Sequence, residues 1–97
     1  MAAAKAAGAR YLVLVAKHHD GFCLFPSRAT SYSVASSPWR GGKGDLVREV
    51  ERAARAEGLK FGVYLSPWDR HEPSYKDSKA YDKFYASQVA ELAQHYG

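Results

Sequence analysis

The sequence predicts an α/β fold in which about two βα units share a parallel sheet. Three features carry that reading. Two short apolar runs rich in β-branched and aromatic residues are separated by a long polar stretch and an amphipathic helix, a second amphipathic helix follows, and glycines stand where helices should stop. Helix and strand alternating in this order force a parallel sheet with right-handed crossovers.

Ala2 to Ala7 are strong helix formers followed by Gly8, the pattern of the last turns of a helix with a glycine stop, so the chain is expected to open in mid-architecture. Tyr11-Leu12-Val13-Leu14-Val15-Ala16 is a continuous apolar run and predicts a strand buried on both faces. Lys17 to Gly44 is rich in Ser, Gly, Pro and aromatic residues without a sustained period, and a connection of that length inside a compact domain is expected to be functional. Asp45 is a good N-cap, and Leu46, Val47, Val50, Ala53 and Ala54 fall on one face of the helix that follows, with Gly58 as its stop. Leu59 to Leu65 reads as a second buried strand, and Ser66 to Ser74 as the loop after it. From about Ser78, Tyr81, Phe84, Tyr85, Gln88, Val89, Leu92 and Tyr96 recur at helical steps, with Gly97 as a possible cap. Two strands alone would leave sheet edges and apolar faces uncovered, so the chain is expected to be part of a larger fold.

Bulk properties narrow the function classes. At 97 residues the chain has room for one small domain with little stability to spare. A composition 46% hydrophobic and 25% charged argues against disorder, and no apolar run approaches the length of a membrane span. The net charge of +4 comes from 14 basic residues scattered among 10 acidic ones, without the clustering a nucleic-acid surface needs. A single cysteine, Cys23, excludes an internal disulfide and a cysteine-based zinc knuckle. Met1 to Ala9 lacks the apolar core and cleavage region of a signal peptide, so either the protein is intracellular or its true N-terminus lies upstream.

In parallel α/β folds ligands bind beyond the C-terminal ends of the strands, here just after Ala16 and just after Tyr64. The first place holds Lys17-His18-His19-Asp20-Gly21-Phe22, several donors and acceptors on one sharply turning stretch. A sugar needs such partners, because each hydroxyl both donates and accepts and a neutral imidazole offers one of each. Phe22, Phe25, Trp39, Tyr64 and Trp68 lie on or near the two strand exits, where aromatic rings could stack on a sugar's apolar face. Gly41-Gly42-Lys43-Gly44 superficially resembles a phosphate loop, but lacks the Gly-Lys-Ser/Thr ending and a strand immediately before it.

Plainer readings stand beside these. His18 and His19 could be one core and one surface histidine, since neighbours on a regular strand point to opposite faces. Adjacent histidines lack the spacing that aims two imidazoles at one ion, so neither a metal nor another cofactor is expected. Asp20-Gly21 could be a tight turn, Trp39 and Trp68 core filler instead of a lid or pocket wall, and Asp69 and Glu72 solvated loop charges.

The stretch from Tyr11-Leu12-Val13-Leu14 through Lys17-His18-His19-Asp20-Gly21-Phe22-Cys23-Leu24-Phe25-Pro26-Ser27 resembles the α-L-fucosidases of glycoside hydrolase family 29. The likeness continues in Tyr32-Ser33-Val34, Ser37-Pro38-Trp39, Gly42-Lys43-Gly44-Asp45 and Gly58 to Arg70. Within that last stretch, Tyr64-Leu65-Ser66-Pro67-Trp68-Asp69-Arg70 is similar to the branch selective for α-1,3 and α-1,4 linked fucose. The resemblance implies a fragment of a (β/α)8 TIM-like barrel, part of a retaining glycosidase that releases terminal α-linked L-fucose from fucosylated oligosaccharides. It implies that His18 and His19 hydrogen-bond the fucose hydroxyls, that Tyr64 reaches the same subsite, and that Trp68 and Asp69 lie near the pocket rim. Phe25 stands where tryptophan is common, a change expected to leave an aromatic wall.

A retaining glycosidase needs two carboxyl groups across the scissile bond. The family's nucleophile is an aspartate at the end of a later strand, which would begin just after Gly97, and its acid/base lies further on, so no catalytic residue is expected here. Asp20, Asp69 and Glu72 match neither position. The resemblance also suggests a secreted or periplasmic full-length protein. A non-catalytic fucose-binding protein and a truncated barrel without function of its own are the competing readings; oligomeric state stays open.

Overall fold

The computed structural model describes all residues from Met1 to Gly97. A short helix α1 (Ala2–Ala6) precedes strand β1 (Tyr11–Lys17), and helix α2 (Leu46–Ala56), strand β2 (Lys60–Leu65) and helix α3 (Ser78–Tyr96) follow in that order. The strands pair in parallel, from Tyr11 opposite Lys60 to Val15 opposite Tyr64. The long connection between β1 and α2 carries two single-turn 3-10 helices, Val34–Ser36 and Trp39–Gly42, and a third, Pro73–Lys76, lies before α3.

Local chemistry explains the boundaries. Asp45 caps α2 by accepting the Arg48 N–H at 2.9 Å, as its place before the apolar stripe predicts. Gly58 closes that helix with φ +74°, and the Leu59 N–H returns to the Ala54 carbonyl at 2.9 Å. Asp77 caps α3 by accepting the N–H groups of Lys79 and Ala80.

Both helices pack on one face of the sheet. Ala16 and Leu65 meet Val47 of α2 and Leu92 and Tyr96 of α3, with Cys23 and Phe25 of the long connection completing the core. Leu14, Phe61, Val63 and Tyr85 pack against it. The opposite face is bare: Tyr11, Val13 and Val15 are 68%, 55% and 40% exposed. The expectation that β1 is buried on both faces is therefore corrected, because these residues supply a layer for one side only.

Two further expectations change. On α2 the buried stripe is Val47, Glu51 and Ala54, whereas Ala53 is exposed. Glu51 tolerates burial because Arg48 at 2.7 Å and Arg55 at 3.1 Å neutralise its carboxylate. Phe25, expected as an aromatic wall, is a core residue only 2% exposed, with its ring edge-on to Tyr96.

The end of β1 breaks the strand's alternation. Val15 faces Tyr64, but Lys17 faces Leu65, so Ala16 is an extra residue in the ladder. Ala16 and Lys17 are consequently both buried. This bulge sends the Lys17 side chain in toward α3 and starts His18 on a new course.

Candidate functional site

The exits of β1 and β2 are held side by side by backbone bonds that outlast the strands. The Ser66 N–H donates to the Lys17 carbonyl at 3.0 Å, and the Arg70 N–H donates to the His19 carbonyl at 2.9 Å. Four expected site residues meet there. The imidazoles of His18 and His19 stack with centroids 4.0 Å apart; His18 lies 6.3 Å from the Tyr64 ring, and His19 lies 4.6 Å from the Trp68 ring. The alternative of one core and one surface histidine is set aside. Both lie past the end of β1, where strand alternation no longer applies.

Ring stacking orients the imidazoles without using their in-plane nitrogens, so each can offer a donor and an acceptor to a ligand. Trp68 is partly exposed and carries the Arg70 guanidinium over its ring at 4.6 Å. Beside His18 is a hollow of about 170 Å³ lined by Val15, Lys17, His18, Asp20, Phe22 and Leu24. A larger apolar groove of about 360 Å³ runs between β2 and α3, past Phe61, Val63, Val89 and Ala93. It borders none of the stacked rings and reflects the unfilled packing of the sheet on α3.

Asp69 is the site residue the structure moves. Expected near the rim, it is 2% exposed, and its Oδ2 pairs with Lys17 Nζ at 3.1 Å. Its Oδ1 accepts the N–H groups of His71 and Glu72, both at 2.9 Å. The carboxylate is thus fully engaged inside the protein. Gly21 makes this possible: its φ is +80°, and a Cβ there would sit 2.2 Å from Asp69 Oδ1.

The other mouth carboxylates also serve the backbone. Asp20 Oδ1 accepts the Phe22 N–H at 3.2 Å, the tight turn expected of Asp20-Gly21, and Glu72 caps the turn at Pro73–Lys76. Trp39, read as a lid or pocket wall, packs instead on Gly44 and under the Arg40 guanidinium. Phe22, Tyr32 and His71 form a separate ring cluster, with Tyr32 stacked on His71 at 4.0 Å. Burial pushes the Cys23 thiol up to about 11, which keeps it neutral and unreactive in ordinary buffers.

Lys17, by the sequence the first residue of the loop, is the last residue of β1 and is fully buried. Its one available signal was a lysine directly abutting an apolar strand. No group of three or more His, Cys, Asp and Glu side chains gathers as a metal site, and no helix is long and apolar enough to cross a membrane.

The sequence model for the alpha-L-fucosidase family matches residues 1–97. The chain belongs to that family. It is 61% identical over 95 residues to a relative from Oryza sativa subsp. japonica, covering 98% of this chain and 18% of the relative. It is 54% identical over 94 residues to the alpha-L-fucosidase 1 of Arabidopsis thaliana, covering 97% and 19%. A solved structure of a glycoside hydrolase 29 family member from an unknown rumen bacterium superposes with a TM-score of 0.92 at 55% identity, over 96% of this chain and 17% of that one. The chain thus spans about a fifth of the length of the curated relatives it matches.

Proposed function

We propose that these residues form the fucose-binding part of a retaining α-L-fucosidase that releases terminal α-linked L-fucose from glycoconjugates. The observation that carries the proposal is the stacked His18–His19 pair flanked by Tyr64 and Trp68 at the exits of two parallel strands. In it, His18 and His19 hydrogen-bond the sugar hydroxyls, Tyr64 lines the same subsite, and Trp68 offers a ring to the sugar's apolar face or to the leaving group at the rim. Family membership supports the substrate class.

The bare face of Tyr11, Val13, Val15 and Tyr64 supports reading β1 and β2 as neighbouring strands of a (β/α)8 barrel, with that face toward the lumen. The run from Tyr64 to Arg70 favours the α-1,3/α-1,4 branch, by its likeness to that branch. The same resemblance is the basis for proposing a secreted or periplasmic protein. The nucleophile and acid/base are assigned to no residue of this chain, since Asp20, Asp69 and Glu72 match neither of the family's carboxylate positions.

The test uses a full-length protein carrying these residues, for instance in place of the matching stretch of the Arabidopsis thaliana relative. Fucose release from a Lewis-type α-1,3/α-1,4 fucosylated oligosaccharide is the expected result. Release only from α-1,2 linked substrates would sink the linkage branch. Binding of L-fucose without release from any substrate would leave a sugar-binding protein as the better account.

A further inference from the structure

The buried ammonium of Lys17 is completely satisfied. It donates to Asp69 Oδ2 at 3.1 Å, Gln88 Oε1 at 3.0 Å and the Tyr81 hydroxyl at 3.4 Å, three acceptors for three N–H bonds. The rings of Tyr81, Phe84 and Tyr85 surround it with centroids 5.4 to 5.7 Å away. Lys17 and Gln88 are fully buried, and Asp69 is 2% exposed. Gln88 extends the network by donating to Cys23 Sγ at 3.3 Å and Ser27 Oγ at 3.5 Å.

A buried ion pair is a poor way to gain stability, because desolvation offsets most of the attraction and an apolar pair of similar volume often serves as well. Here Lys17 at the end of β1, Asp69 in the loop after β2, and Tyr81 and Gln88 on α3 come from three separate parts of the chain, so the ammonium is satisfied only when those parts are held in one arrangement. The pair's place in the chain gives that arrangement a use: Lys17 directly precedes His18-His19, and Asp69 directly follows Trp68. Asp69 also presses on Gly21 at the turn beyond the histidines and holds the His71 and Glu72 amides of its own loop.

We infer that Lys17 and Asp69 are positioning residues, a buried clamp between the two strand exits that fixes His18 and His19 against Tyr64 and Trp68. The inference rests on the fucose-binding reading and moves Asp69 from the pocket rim to support of the residues beside it. The clamp also sets the bulge at Ala16, since Lys17 reaches Asp69 and Gln88 only when its side chain turns toward α3.

The test is a cycle of L-fucose affinities in the full-length protein. Lys17→Met is expected to weaken binding about 10- to 100-fold, the scale on which small misplacements of site groups act. In a His19→Ala background the same substitution is expected to cost a clearly smaller factor, because one of the groups it positions is gone while His18 remains. A merely structural lysine would lower affinity by the same factor in both backgrounds, and that result would overturn the inference. So would unchanged affinity in a folded Lys17→Met protein. Should Lys17→Met not fold, the double variant Lys17→Met/Asp69→Asn removes both charges and enters the same cycle, read in the same way. Failure of both to fold would also overturn it, by making the pair a requirement of the fold. Absence of L-fucose binding by the unaltered protein overturns the fucose reading together with this one, whereas binding that the clamp variants leave intact overturns this one alone.

Discussion

At Gly21 two constraints coincide: φ is +80°, and the place a Cβ would take lies 2.2 Å from Asp69 Oδ1. Gly21→Ala therefore adds a displaced buried carboxylate to the ordinary cost of a left-handed alanine, and we expect about 2 to 4 kcal/mol of destabilisation in a denaturant titration. Gly58→Ala is the matched control. Its φ is +74° with nothing within 4 Å of the added atom, so it should cost only about 1 kcal/mol. Equal losses at both positions would show that Asp69 yields freely. The turn at Asp20-Gly21 was legible, because those residue types supply it locally. The reason for the glycine was not, since Asp69 lies far along the chain and reads by itself as a loop charge.

Among the elements, α2 follows most directly from local chemistry. Asp45 both accepts the Arg48 N–H and receives the Tyr96 hydroxyl from α3, so it caps one helix and ties it to another. Asp45→Ala should lower stability by about 1 to 2 kcal/mol, whereas Asp45→Asn, which can still cap, should lose much less; thermal unfolding of the two variants checks this. The strands, their parallel pairing and all three helices were readable from periodicity and stop residues. The one-sided burial of β1 was not, because an apolar run states which residues favour burial and not which partners cover them. Nor was the bulge at Ala16 visible: it depends on Lys17 meeting Asp69, Tyr81 and Gln88, all more than 50 residues away. Glu51 was missed for a related reason, since its burial depends on arginines on both sides of it closing over the carboxylate.

On the scale of the molecule, two parallel strands and the helices behind them serve mainly to bring two loops together. Backbone bonds from Ser66 to Lys17 and from Arg70 to His19 align the exits, the buried pair locks them, and the four rings of His18, His19, Tyr64 and Trp68 are the result. His18 and His19 were legible as candidates because one short motif carries them, whereas the buried partners of Lys17 lie more than 50 residues away and were not. Whether the stacked imidazoles bind the sugar is read from the affinity of the full-length protein for L-fucose after His18→Ala and after His19→Ala. Binding is expected to weaken by about tenfold or more in each, the loss of roughly one hydrogen bond to the sugar, with the unfolding midpoint within about 2 °C of the unaltered protein. Unchanged affinity in both variants would exclude the imidazoles as sugar ligands.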